Sequence, residues 1–209
     1  MAWLSGLGIA ACAVDYRSAR IGDGADTAAS GMVSTVNDVA AEAGCRPGQP
    51  CRQALRCLLD EAPLPARLEI PEIGETRMRI ANSGHREVWA LDSIGLCRPQ
   101  DRRAVIVTGS HGALLGGSGD DGLPAVDVFA AFFNDAGGGK DDAGVARLPV
   151  LDARGVAAAA VSCDTARIGD GRSVCRRDSP LRTARHAGCR RTCPFAAHLS
   201  RTRCAVVDG

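Results

Sequence analysis

Three polar loops carry the residues best suited to chemistry. Gly109-Ser110-His111-Gly112 follows an apolar run at 104–108, and the loop NDAGGGKDD at 134–142 follows another at 126–133. Ala166-Arg167-Ile168-Gly169-Asp170-Gly171 follows a third at 156–161. In an open α/β sheet, ligands gather beyond the carboxyl ends of the strands, so loops of this kind are expected to converge. Together they offer an imidazole that titrates near neutrality, carboxylates and two cations, enough to hold a small anionic molecule and move a proton on it. The expected catalytic residues are His111, as acid or base, with Asp135 and Asp170. Ser110, Asn134, Lys140 and Arg167 are expected to bind the substrate.

Each residue also has a plainer reading. Gly109-Ser110-His111-Gly112 is not the G-x-S-x-G elbow that exposes a serine nucleophile, and His111 could simply brace its loop. Gly137-Gly138-Gly139-Lys140 lacks the spacing and the Ser/Thr of a Walker A loop, which disfavours nucleoside triphosphates. Asp135 with Asp141 or Asp142 could ligate Mg²⁺, but aspartates in glycine loops commonly cap helices, so no metal is expected and no cofactor is specified. Arg167 and Asp170 could form a brace at a strand-to-helix turn. Asn37 reads as a helix-surface residue.

The elements that must position these loops are marked by a repeat. LDARGVAAAAVSCDTARIGDG at 151–171 echoes LSGLGIAACAVDYRSARIGDG at 4–24, with 12 of 21 positions identical at an offset of 151 − 4 = 147 residues. An offset of this size points to a duplicated domain rather than to a solenoid, whose units run to roughly 20–50 residues. The sequence therefore predicts an α/β fold: a three-layer domain with a mixed or parallel sheet, built from a duplicated unit whose first copy is incomplete. The expected division is 1–62 as the trailing half of the first unit, 63–171 as the α/β core of the second, and 172–209 as a tail.

Within the first unit, residues 8–14 read as a buried strand. Val33, Val36, Val39 and Ala40 recur at helical spacing, with Ser30 or Thr35 as cap and Gly44 as stop, and 51–59 reads as a second helix. In the second, segments 67–80 and 87–91 flank the hairpin-like Asn82-Ser83-Gly84-His85, and Pro71 marks the first as an edge or irregular strand. Residues 104–108 form a buried strand, 126–133 a strand or helix end, 143–154 a helix and 156–161 a strand.

Composition narrows the class. Hydrophobic residues make up 45% of the 209-residue chain and aromatics only 3%, so small aliphatic side chains must fill its core. Ten cysteines are too few for a disulfide scaffold in a chain of this size and are expected to be reduced. The opening MAWLSGLGIAACAV has the look of an export signal, but no Lys or Arg precedes its apolar run and its echo lies inside the chain, so a cytoplasmic protein is expected. No run is long enough for a membrane span. A homo-oligomer, or pairing with a missing partner half, fits an incomplete unit.

The tail differs in kind. Residues 172–209 hold nine arginines against Asp178 and Asp208, a charge of +7, leaving 1 − 7 = −6 for the rest. Cys189, Cys193, His198 and Cys204 approximate a zinc knuckle, which would make a nucleic-acid-binding tail the rival function. That reading is disfavoured by loose spacing and by Phe195 being the tail's only aromatic. A third reading is a shifted reading frame after Gly171, which predicts an unordered tail. Back-translated 188–197, read two nucleotides out of phase, permits a match to Gly44, Pro47, Pro50, Arg52 and Ala54 in register. Sequencing the coding DNA across 170–209 tests this: another frame is expected to restore a Val-rich segment and a Pro-Gly turn like those of 25–59. If no frame does so, the tail is native and its zinc content should be measured.

Overall fold

Apolar runs that are uninterrupted, rather than alternating with polar residues, suit strands covered on both faces, and such strands build the larger half of this protein. The structure, a computed structural model, describes residues 1–61, 74–82, 86–116, 124, 126–175 and 181–182. Its described residues divide into two units: the first takes those of 1–74 with 115–117 and 138–143, the second those of 75–114, 118–137 and 144–209. Pro71, the turn at 83–85 and the Cys/His pattern of the tail lie outside the described residues.

The first unit contains α1 (Ala2–Gly6), β1 (Cys12–Val14), α2 (Gly24–Ser30), β2 (Val33–Val36), α3 (Asp38–Glu42) and α4 (Cys51–Glu61). β1 pairs antiparallel with β2, Cys12 opposite Val36. Residues 33–36 were expected to be helical; they form a strand instead, because Val33, Thr35 and Val36 are β-branched and suit a pleated surface. The cap of α3 is Asn37, not Ser30 or Thr35. Its Oδ1 accepts from the Ala40 and Ala11 N–H groups and its Nδ2 donates to the Ile9 carbonyl. Asn37 is therefore buried, correcting its surface reading. Gly44, at φ 87°, follows α3 as expected of a stop. Ala54, Cys57 and Leu58 of α4 recur at helical spacing and pack with Val33, Ala40 and Cys45. Burial and the neighbouring Cys45 thiol push Cys12 up to about 11, so it stays protonated at neutral pH. Cys12, Cys45, Cys51, Cys57 and Cys163 are free thiols.

The second unit is an α/β fold around a mixed sheet in the order β3 (Arg77–Asn82), β4 (Glu87–Leu91), β5 (Val105–His111), β6 (Ala130–Asn134), β7 (Ala157–Val161) and β8 (Leu181–Arg182). β4 to β7 run parallel, while β3 and β8 are antiparallel edges. Between β6 and β7 lies α5 (Arg147–Ala153), shorter than the expected 143–154; the chain before it is kinked at Asp141 and Asp142, whose φ angles of 55° and 54° are not helical. After β7 comes α6 (Gly171–Val174). Successive side chains of the central strands serve opposite faces. Ile106, Ala131, Phe133 and Ala160 pack with Leu148 and Leu151 of α5, and Val105, Val107, Phe132 and Val161 pack with Val174 of α6.

The two echoing stretches have the same local structure. Ile9 N donates to Leu4 O and Val156 N to Leu151 O, both at 2.9 Å. Ser18 Oγ donates to Asp15 O as Thr165 Oγ1 does to Ser162 O. Gly8 and Gly155 sit at φ 71° and 73°, and Gly22 and Gly169 at 84° and 80°. Asp23 caps α2 as Asp170 caps α6. Even the strand partners correspond, Ala13 facing Thr35 and Ala160 facing Arg182.

Two glycines set the spacing in the second unit. A Cβ on Gly109 would stand 2.3 Å from the Asp170 nitrogen, and one on Gly171 would stand 2.4 Å from the Leu91 carbonyl oxygen. The close partners are backbone atoms, which cannot rotate away. Gly109→Ala is expected to destabilise the protein by about 1–3 kcal/mol in urea unfolding. An unchanged midpoint would mean that this approach is not tight.

Candidate functional site

Because β5, β6 and β7 are parallel, their carboxyl ends lie along one edge of the sheet. Register places His111 beside Asn134, and Asn134 beside Val161. The loops bearing Ser110 and His111, Asn134 and Asp135, and Arg167 and Asp170 therefore meet at this edge. Asn134 Nδ2 donates to Ala166 O at 2.9 Å, Asp135 Oδ1 accepts from Cys163 N at 2.9 Å, and Gly169 N donates to Gly109 O at 2.8 Å.

Most of the expected site residues spend their polar atoms on holding those loops. Ser110 Oγ accepts from Ile94 N, and Asn134 Oδ1 from Ala136 N. Asp135 is buried and also accepts from Gly137 N. Asp170 accepts from the Arg172 and Ser173 N–H groups. The Arg167 backbone N–H donates to Ser173 Oγ, and its side chain is exposed. Lys140 belongs to the first unit, where its Nζ contacts both oxygens of Asp26 at 2.9 and 3.0 Å. That pairing, with the Arg20 N–H and Ser30 hydroxyl, holds the Asp26 carboxyl down to about 2. Asp141 likewise pairs with Arg20 at 2.8 Å.

His111 is the exception. Its imidazole is half-buried at the end of β5, and Nδ1 accepts from the Ala113 N–H at 3.3 Å. Burial, and then the nearby Arg147 charge, pull its pKa below the usual 6.5. The ring is therefore neutral at pH 7, with Nδ1 occupied and the proton on Nε2, which makes it a hydrogen-bond donor. Because the unfolded chain takes up a proton more readily, this burial favours the fold above pH 6.5, and the advantage is lost as pH falls through the lower folded value.

Arg147 is the residue that sequence reasoning missed. Only 1% exposed, it donates to the His111 carbonyl at 3.2 Å and the Ala113 carbonyl at 2.6 Å, and its guanidinium lies 4.9 Å from the centre of the Phe133 ring. It thus fixes both ends of the histidine turn. Burial lowers its own pKa to about 10, leaving it charged at neutral pH. The run ARLPVL around it gives no sign of this, since a helical arginine usually faces water.

A separate open cavity of about 670 Å³ lies toward the opposite ends of the parallel strands, lined by Glu87 and Ala104 together with Arg86, Arg102 and Arg103. Among the described residues, no three His, Cys, Asp or Glu side chains are grouped to hold a metal ion. No helix among them is long and apolar enough to cross a membrane.

Replacing Arg147 with Met removes the donors to two carbonyls while keeping most of the apolar stem. A loss of about 3 kcal/mol is expected in urea unfolding, within the range for breaking a buried charged contact. A change below about 0.5 kcal/mol, typical of surface substitutions, would remove Arg147 from this role. No protein-family model, no curated protein and no solved structure matches the chain.

Proposed function

We propose that the second unit is the substrate-binding and acid–base part of a small-molecule enzyme of hydrolase or lyase type, with His111 as the group that meets the substrate. The observation that carries this reading is the His111 imidazole: half-buried, neutral, with Nδ1 satisfied by its own turn and Nε2–H left to donate. Such a donor stabilises negative charge developing on a substrate oxygen and can deliver its proton to it. Arg167 is the cation available to an anionic substrate. Ser110, Asn134, Asp135 and Asp170 act by holding the loops in place, and Lys140 is committed to Asp26. We further propose that the chain descends from a duplicated unit of about 147 residues, a reading supported by the hydrogen bonds that recur at that offset.

Turnover can be screened against small phosphorylated and carboxylated compounds. With a substrate in hand, His111→Gln is expected to cost at least about 100-fold in kcat with the unfolding midpoint little changed. In the unmodified protein, the His111 ring is expected to titrate below 6.5 by NMR, as the Nε2–H tautomer at pH 7. Undiminished turnover in the variant would overturn the role of His111.

A further inference from the structure

The two ARIGDG loops share a backbone but differ in what covers them. In the first unit, the loop 16–26 is contacted at Tyr16, Arg20, Ile21 and Asp26 by the glycine-rich segment 139–141. Lys140 N donates to Tyr16 O at 2.9 Å, and Asp141 pairs with Arg20 at 2.8 Å. Gly139 lies so close that a Cβ there would stand 3.0 Å from Ile21 Cδ1 and 3.2 Å from Tyr16 O. The positive φ of Gly138 and Gly139, 80° and 75°, shapes the segment to the loop. Gly116 N also donates to Gly22 O at 3.0 Å.

At an offset of 147, the receiving atoms recur in the second unit. Arg20 corresponds to Arg167, Ile21 to Ile168, and Tyr16 O to Cys163 O. Arg20 N is held by an Asp26 oxygen at 2.8 Å and Arg167 N by Ser173 Oγ at 2.8 Å, so the two loops are braced in the same way. Yet Ile168 is 58% exposed, and among the described residues no carboxylate pairs with Arg167. Two residues of the receiving set change: Cys163 replaces Tyr16 but still offers its carbonyl, and Ser173 replaces Asp26, which removes the carboxylate that binds Lys140.

We propose that the loop 163–173 is a docking site for an acidic glycine-rich segment of a partner chain, seated as 139–141 is seated on 16–26. Glycines of the partner approach Ile168 and the Cys163 carbonyl, and an aspartate pairs with Arg167. With Ser173 in place of Asp26, the site has no use for a lysine, so the preferred segment is of the G-G-G-x-D type with x uncharged. This rests on the shared loop geometry and not on His111; the partner's aspartate and an anionic substrate would compete for Arg167, so peptide binding that survives His111→Gln separates the docking proposal from the proposed catalytic role.

The test uses the full ¹⁵N-labelled chain and the synthetic peptide DAGGGADD, which is 135–142 with Ala in place of Lys140. Saturable shifts of the 163–171 amides are expected, with a Kd of roughly 1 mM for so short a ligand. Arg167→Ala, or the same peptide with Ala at the position of Asp141, should weaken binding at least about 5-fold, as for loss of one charge-assisted contact. Arg20→Ala should leave it unchanged. No shifts at peptide concentrations up to about 10 mM, shifts confined to 16–26, or binding indifferent to Arg167→Ala would each overturn the proposal. Concentration-dependent shifts of 163–171 without peptide would assign the site to a second copy of this chain and overturn the choice of partner.

Discussion

The carboxyl edge of the sheet depends on a backbone-to-backbone approach that only glycine permits. Gly109 lies against Gly169 and Asp170, and Gly171 lies against Leu91, at distances where a Cβ would overlap main-chain atoms. This brings the end of β5 and the turn after β7 together although β6 separates their strands in the sheet. The Gly169 N–H to Gly109 carbonyl bond then joins the two loops directly. Glycines that invite a ligand-binding interpretation in the sequence thus serve first to let two stretches of chain meet.

Bringing three loops together at a buried edge creates a polar debt, since unpaired amides and carbonyls there would each cost about 1–3 kcal/mol. Thr108, Asn134, Asp135 and Arg147 are nearly inaccessible to solvent. The last three bridge segments distant in sequence, Asn134 to Ala166, Asp135 to Cys163, and Arg147 to His111 and Ala113. Asn134 and Asp135, which read as site residues in the sequence, are consequently occupied with structure. His111 gains its character from the same arrangement: the turn that Arg147 holds also satisfies Nδ1, and the burial that results keeps the ring neutral.

The repeated loop shows how one substitution redirects a partner. Asp26 and Ser173 perform the same internal task, accepting the backbone N–H of Arg20 or Arg167. The carboxylate has charge left over after that task and captures Lys140 from 114 residues away, whereas a hydroxyl has none to offer. The local structure is the same in both places, and the difference lies in what can be bound on top of it.

Local physics was legible in the sequence alone. Uninterrupted apolar runs at 104–108 and 156–161 became β5 and β7, the helix beginning at Cys51 formed, Gly44 ended α3, and the two ARIGDG stretches, alike in sequence, are alike in local conformation because matching short-range contacts act in both. The meeting of the Ser110–His111, Asn134–Asp135 and Arg167–Asp170 loops at one edge was legible too, since parallel strands leave their carboxyl ends together. What tertiary structure decided was how each polar side chain is used. Asn37 is a buried cap, Arg147 a buried clamp, and Lys140 is paired with Asp26 within the first unit. The burial of Asn37 against Ala11, the Arg147 clamp and the Lys140 pairing each depend on a partner at least 26 residues away, and a one-dimensional pattern carries no record of which distant donor will find which acceptor.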